Sequence, residues 1–429
     1  MHRGYYILAV IVILGAAGCQ HPRPLPPSAH EIRAYSEPEV VLARSALPTR
    51  PVPPLTKRVL NGIDVLQRER FAPLRGLRIG LITNHTGTDR QRNSTIDLLH
   101  QAPEVRLLAL FSPEHGLRGT LDDKVADGVD SRTGLPVYSL YGARRSPTPE
   151  QLKSLDALVF DIQDIGCRFY TYISTLGLCM EAAAAARIKF FVLDRVNPIG
   201  GVVVEGPVYQ GEPQFVAFHA LPIRHGMTVG ELARLFQRER GWDLDLKVIP
   251  VEGWRREDWF DLTGLPWINP SPNMRSLTQA TLYPGVGLLE FAVSVGRGTD
   301  TPFELVGAPY VNDLELAEAL NQAGLPGIRF VPVQFTPAAS VFRGQRCGGV
   351  QLIVTDRNKL RPVDLGVVLI QTFYRLYPRD FAVEKVHTLL LDRNVLEAIK
   401  AGRPLAEIRQ SWAANLAEFE RRRQGVLLY

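Results

Sequence analysis

The sequence predicts an α/β fold: a parallel sheet covered by helices on both faces, followed by a smaller α/β or α+β domain. Three observations carry that expectation. From Val59 onward, short apolar runs of strand length alternate with longer runs of helical spacing, which is how repeated strand–helix–strand units read. Four apolar runs stop abruptly at polar groups: LRIGLIT at Asn84 and His85, LLALF at Ser112, Pro113, Glu114 and His115, ALVFDI at Gln163 and Asp164, and KFFVLD at Arg195 and Asn197. Open α/β sheets bind their ligands outside the carboxyl ends of the strands, so four such ends predict one shared site. Finally, 429 residues with 45% hydrophobic content are enough for two domains and a sizeable core.

The elements follow in order. His2 and Arg3 precede an apolar stretch, Tyr5 to Gly18, too short to span a bilayer and of the size of a signal-peptide core. It ends in Ala16-Ala17-Gly18-Cys19 and resembles a bacterial lipoprotein signal, so residues 1–19 are expected to be removed or modified with Cys19 lipidated. An ordinary secretory signal cut nearby is the other reading. Several acyl chains on Cys19 would anchor the protein stably to a membrane. Gln20 in place of Asp favours, by analogy with such lipoproteins, export to the outer membrane facing the periplasm. Residues 20–56 carry nine prolines without period and read as a semi-rigid tether.

A first domain is expected over 57–268. It opens with the short amphipathic helix VLNGIDVLQRE, strand LRIGLIT and a helix bearing Ile96, Leu98 and Leu99, followed by strand VRLLALF. Gly116 to Tyr141 reads as a long loop with a short strand at PVYSLY. Thr148 caps a short helix before the strand DALVFDIQDIG, and a helix from Ser174 to Arg187 precedes KFFVLD. Thr228 and Glu231 form a capping box for TVGELARLFQRE, after which DLKVIPV makes a fifth strand. Gly253 to Pro284 holds Trp254, Trp259 and Trp267 without convincing period and reads as an aromatic-rich connection. The second domain, 269–429, then shows helix DLELAEALNQA, strands IRFVPVQF and GGVQLIVTD, a helix from Pro362 to Tyr377, and two further helices ending near Arg423.

Composition and missing motifs exclude several classes. The formal charge of +5 comes from 49 basic against 44 acidic residues with no dense basic block, so no nucleic-acid partner is expected. Cys167, Cys179 and Cys347 are too few and too odd in number for a disulfide framework. No GxGxxG follows the first strand, and no P-loop, HExxH or GxSxG occurs. His85, His115 and His225 lie on separate loops, so neither a metal nor another cofactor is expected.

What remains is carboxylates, amides, aromatic rings and arginines. Glu114 follows Phe111 and Pro113, apolar surroundings of the kind that raise a carboxyl pKa toward that of a general acid. DIQDIGCRFYTY packs Asp161, Gln163, Asp164, Arg168, Tyr170 and Tyr172 together, and strand alternation would point Arg168, Tyr170 and Tyr172 to one side. Such groups facing a cleft suit a sugar, and a hydrogen-bonded structural turn is the alternative. Glu290 and the turn GRGTD, with Arg297 and Asp300, suit an anionic group or form a buried ion pair.

SPEHG at 112–116, FDIQDIGCRFYTY from Phe160, LDRVNPIGG from Leu193, HGMTVGEL from His225, PSPNM from Pro270 and SVGRGTDTPFE from Ser294 together resemble the NamZ-like exo-lytic β-N-acetylmuramidases. These are peptidoglycan-recycling glycoside hydrolases long known as a domain of unknown function. The resemblance runs from Leu77 to the C-terminus. It implies a Rossmann-like catalytic domain, a smaller C-terminal domain, and a cleft between them that releases terminal N-acetylmuramic acid from peptidoglycan fragments. By motif position it puts the leading catalytic carboxylate at Glu114. The second falls on Glu290, where this chain departs from the family pattern by running on as Phe291, Ala292 and Val293; Asp161 is the other candidate. Cys167 and Val196 are further departures. The resemblance also implies substrate contacts from Asn84, His115, Gln163, Asp164, Arg168, Tyr170, Asp194, Asn197, His225, Asn273, Arg297 and Asp300. Arg168 or Arg297 would meet the lactyl carboxylate, since Arg recognises planar carboxylates better than Lys. A lipoprotein that binds muropeptides without cleaving them is the alternative, and an amide- or ester-cleaving enzyme would lack a nucleophile motif.

Overall fold

A computed structural model describes residues 58–113, 117, 127–142 and 144–429. Cys19, Glu114 and His115 lie outside the described residues.

The apolar runs form a seven-stranded sheet from β1 (Arg78–Thr83), β2 (Arg106–Ser112), β3 (Gly128–Val129), β4 (Pro136–Ser139), β5 (Ala157–Asp161), β6 (Lys189–Leu193) and β7 (Leu246–Ile249). Their spatial order is β3-β4-β2-β1-β5-β6-β7. Every pairing is parallel except β3 with β4. The chain builds outward from β1 through β2 and β4, then returns to the other side of β1 for β5, β6 and β7. That reversal leaves a crevice between the loops after β1 and β5.

The central strands are apolar throughout because both faces are covered. Along β5, Ala157 and Val159 pack into one core cluster while Leu158 and Phe160 pack into another. Period-two alternation therefore separates two cores instead of core from solvent. On the second face lie the helices Tyr172–Ala186 and Val229–Arg240. The latter starts at the expected capping box: Glu231 N donates to Thr228 Oγ1 (3.2 Å) and Thr228 N to Glu231 Oε2 (3.0 Å). It stops at Gly241, whose φ of 64° is a left-handed conformation that glycine adopts without strain.

A second, antiparallel sheet has the order β8-β10-β9, with β8 (Leu305–Ala308), β9 (Ile328–Phe335) and β10 (Cys347–Val354). Helices Asp313–Gln322, Pro362–Leu376 and Leu405–Gln424 accompany it. One hydrophobic cluster runs from Phe160 in the first sheet to Val350 in the second.

Three elements differ from the sequence reading. The segment after Asp161 is not strand: turns carry it to a helix that begins at Tyr172, so alternation does not set the directions of Arg168, Tyr170 and Tyr172. Within the aromatic-rich connection, Leu277–Val286 is a helix despite Pro284. Eight of its residues, Gln279 to Val286, are buried, and a helix buried all round shows no amphipathic period. The strand β8 is likewise buried along its whole length, and four apolar residues announce neither strand nor helix.

The helices Leu277–Val286 and Pro362–Leu376 approach closely at Gly285. A Cβ there would fall 1.8 Å from the Pro362 carbonyl oxygen, a backbone atom that cannot turn aside. Gly285→Ala is expected to cost about 1–3 kcal/mol in urea unfolding. Gly128→Ala, whose added methyl meets nothing within 4 Å, is expected to change stability by less than about 0.5 kcal/mol.

Candidate active site

The carboxyl ends of β1, β5 and β6 converge on one buried ion pair. Asp161 has no exposed surface and Arg195 is 4% exposed. Arg195 Nε donates to Asp161 Oδ1 (2.6 Å) and Nη2 to Oδ2 (2.9 Å), a two-pronged contact that fits the guanidinium fork. Thr95 Oγ1 adds a third hydrogen bond to Oδ2 (2.5 Å), and Arg195 Nη2 also reaches the Thr88 carbonyl (3.0 Å). Thr95 is the first residue of the helix Thr95–Gln101, so the pair fixes that helix as well as the loop after β1.

Beside it, Asn84 Oδ1 accepts from Thr86 N (2.9 Å) and Oγ1 (2.6 Å), and Gln163 N donates to Thr86 Oγ1 (3.0 Å). Gln163 Nε2 is engaged by the carbonyls of Asp164 (2.7 Å) and Val196 (2.9 Å). Thr86, Gln163 and Arg195 line a small cavity of about 20 Å³, room for about one water molecule, that Phe260 and Trp267 close from the connecting segment. Buried Trp267 Nε1 and Asn84 Nδ2 have no hydrogen-bond partner among the described residues.

A second group lies where the segment after β5 meets the C-terminal half. The rings of Tyr170 and Tyr172 stand edge to face at 5.2 Å, Tyr170 and Tyr283 at 5.9 Å, and Tyr283 and Phe303 at 4.8 Å. Glu290 adjoins this cluster, and Arg297 Nη2 donates to its Oε2 at 2.9 Å. Neither is sealed in: the side chains of Arg297 and Glu290 are 27% and 11% exposed. Arg297 also sits 5.1 Å over the Phe303 ring. Burial, reinforced by the Glu290 charge, pushes the Tyr283 hydroxyl well above its usual range and keeps it a phenol. Tyr172 Oη donates to the Pro270 carbonyl (2.7 Å), and His85 Nε2 lies 2.6 Å from the Asn269 carbonyl. These contacts pin the segment carrying buried Asn273 against the first sheet.

The remaining expected residues are placed as follows. Arg168 is 1% exposed, and its terminal nitrogens donate to the carbonyls of Pro207 (3.2 Å), Leu389 (2.6 Å) and Leu390 (2.9 Å). It thus ties the first half to a helix end of the second and presents no terminal nitrogen to a cleft. Burial lowers it to about 10. Asp164 Oδ2 accepts from Gly166 N (2.7 Å) and lies 3.4 Å from His225 Nε2. Met227 N donates to His225 Nδ1 (3.2 Å), which puts the neutral ring's proton on Nε2, facing Asp164. Asn197 spans a turn, donating to the Met227 carbonyl (3.0 Å) and accepting from Ile199 N (3.2 Å). Asp300 is exposed.

Asp194, fully buried at the end of β6, accepts four hydrogen bonds: Arg195 N (2.9 Å) and Gly230 N (2.7 Å) on Oδ1, Thr228 Oγ1 and Tyr429 Oη (both 2.7 Å) on Oδ2. Sequence reading missed Thr86, Thr95, Tyr283 and Tyr429, whose partners Gln163, Asp161, Tyr170 and Asp194 lie far away in the chain. Only Trp267 carried a signal, as part of the aromatic-rich stretch.

Burial pushes Asp194 up to about 6 against the opposing pull of those hydrogen bonds. A carboxyl whose folded pKa exceeds its unfolded value contributes stability that is full below about pH 4 and lost as pH rises through about 6. Urea unfolding from pH 4 to 7 is expected to show the advantage of the wild type over Asp194→Asn shrinking by roughly 3 kcal/mol. A constant difference would remove Asp194 as the titrating group.

Known proteins place the chain. Residues 79–278 match the family model of the N-terminal part of the exo-β-N-acetylmuramidase NamZ, and residues 281–429 match that of its C-terminal part. The peptidoglycan β-N-acetylmuramidase NamZ of Bacillus subtilis (strain 168) is 45% identical over 381 residues, which cover 87% of this chain and 92% of the relative. Two crystal structures of DUF1343 family proteins from Bacteroides fragilis NCTC 9343 share the fold. One has a TM-score of 0.81 at 40% identity, covering 87% of this chain and 99% of its own. The other has a TM-score of 0.71 at 31% identity, covering 86% and 99%. The chain therefore belongs to the NamZ family of exo-β-N-acetylmuramidases.

Proposed function

We propose that this protein is an exo-lytic glycoside hydrolase that releases terminal N-acetylmuramic acid from the non-reducing end of peptidoglycan fragments by cleaving a β-1,4 bond, in cell-wall turnover. The observation that carries this reading is the family match across both halves of the chain. It lends the non-catalytic alternative no support.

Glycoside hydrolysis needs an acid to protonate the leaving oxygen and a second carboxylate to serve as base, nucleophile or stabiliser of the oxocarbenium-like transition state. Glu114, of the SPEHG motif, is assigned the acid. For the second role Glu290 is preferred to Asp161. Both oxygens of Asp161 are committed to Arg195 and Thr95 in a site with no exposed surface, whereas Glu290 is partly open beside a tyrosine cluster. Of the two arginines considered for the lactyl carboxylate, Arg297 retains exposed surface and Arg168 does not. Gln163, Trp267 and the tyrosines would supply hydrogen bonds and ring faces to the sugar. The Cys19 lipid anchor and an outer-membrane location facing the periplasm belong to the same proposal, resting on the Ala-Ala-Gly-Cys signal and the proline-rich tether.

Protein lacking residues 1–56 is expected to release nitrophenol from nitrophenyl N-acetylmuraminide and not from the N-acetylglucosaminide. Glu114→Gln and Glu290→Gln should each lower kcat by about 10²-fold or more; near-normal turnover in either would strip that residue of its role. Arg297→Lys is expected to raise KM about tenfold with unchanged unfolding, since an ammonium cannot reproduce the planar two-pronged contact. Labelled palmitate should enter the full chain and not Cys19→Ala, and equal labelling of both would refute the anchor.

A further inference from the structure

Behind the turn that Asn197 spans lies a second cavity, of about 210 Å³, walled by the loop Ile199–Val203, the segment around Trp259, and Arg357–Arg361 of the C-terminal half. Four arginines line it: Arg224, Arg256, Arg357 and Arg361. Their counter-charges sit behind the wall or at its edge. Arg224 pairs with Glu205 (3.0 Å), Arg256 with Glu231 (2.6 Å) and Arg357 with Asp261 (2.7 Å). Arg361 has no carboxylate partner among the described residues and donates only to the carbonyls of Asn358 (3.1 Å) and Leu360 (3.3 Å). The single acidic lining residue, Glu257, is engaged by Arg255 at 3.2 Å.

Two features distinguish this cavity from a solvated basic surface. Arg224 is only 2% exposed, and its Nε has no hydrogen-bond partner among the described residues. A guanidinium this buried is screened little by solvent, so its charge adds to those of the other arginines facing the cavity. The floor is also built for the apolar part of a ligand. Trp259 is flanked by Arg224 and Arg357, 5.7 Å and 4.9 Å from its ring, while Val202 stands 55% exposed at the rim.

We propose that this cavity is a second ligand site, which takes a small molecule bearing a carboxylate or phosphate next to an apolar group. The oxyanion would lie against Arg361, on the wall that Arg224 lines, and the apolar part against Trp259 and Val202. Because the walls come from both halves of the chain, an occupant would bridge them. The site does not depend on the hydrolytic reading, since none of its residues belongs to the proposed machinery.

The test is calorimetric titration of the full chain in detergent with inorganic phosphate, N-acetylmuramic acid and the uncharged N-acetylglucosamine. The same titrations are made on Arg361→Gln and on Val202→Glu, which places a negative charge at the rim without disturbing a buried group. Phosphate, N-acetylmuramic acid or both are expected to bind the wild type and to bind each variant at least about tenfold more weakly; which of them binds identifies the oxyanion. Muraminide hydrolysis should be unaltered by Val202→Glu. Binding that is equal in all three proteins, or no binding of either anion to the wild type, overturns the site. Absent hydrolysis with this binding pattern intact would overturn the hydrolase reading alone.

Discussion

A buried carboxylate must be paired or it unfolds what surrounds it, and in this protein that constraint falls on Asp161. An isolated charge of this kind is strongly disfavoured in a protein interior, and a lost partner typically costs 3–5 kcal/mol. Arg195 answers with both prongs of its guanidinium, and Thr95 supplies a third donor. Satisfying one carboxylate thereby fixes the ends of β5 and β6, the start of the helix Thr95–Gln101 and, through the Thr88 carbonyl, the loop after β1. The crevice at the strand reversal is framed by this arrangement. Asp194, one residue before Arg195, extends it by holding the first turn of Val229–Arg240 and the hydroxyl of Tyr429.

The two sheets are joined by the same chemistry at larger scale. Arginines from one half repeatedly end on backbone carbonyls of the other: Arg168 on Leu389 and Leu390, Arg234 on Val426 and Leu427, and Arg423 on Gly201, Val202 and Gly226. A guanidinium carries five donors in a rigid plane and can satisfy several carbonyls at once. Burial then makes these contacts demanding, since each lost acceptor leaves a desolvated donor. Such ties hold the Glu290 and Arg297 pair in register with the tyrosines that follow β5, although the two groups are more than a hundred residues apart.

This division of labour separates frame from chemistry. Asp161, Asp194 and Asn197 sit among the proposed site residues in the sequence but spend their side-chain polar atoms on the protein itself, as Arg168 does its terminal nitrogens. Glu290, Arg297, Gln163 and Trp267 keep exposed surface, cavity lining or an uncommitted donor. The arginine-lined cavity behind the Asn197 turn shares this frame, since Arg224 precedes His225, which faces Asp164.

Much was legible in the residues alone because it depends on short-range pattern. Apolar runs ending at Asn84, Gln163 and Arg195 announced buried parallel strands, and Thr228 with Glu231 announced a helix start, since a capping box is complete within four residues. The SPEHG and GRGTD motifs announced the family because they are contiguous. Other features required the folded chain. The helix Leu277–Val286 and strand β8 are buried on all sides, and periodicity reports only elements with one wet face. The roles of Asp161 and Arg168 were likewise beyond the sequence, because a carboxylate or guanidinium reads the same whether it faces a substrate or a carbonyl. Residue type sets what a group can do; which neighbour claims it is decided by the partners that tertiary packing brings within 3 Å, and Leu390 is far from Arg168 in the chain.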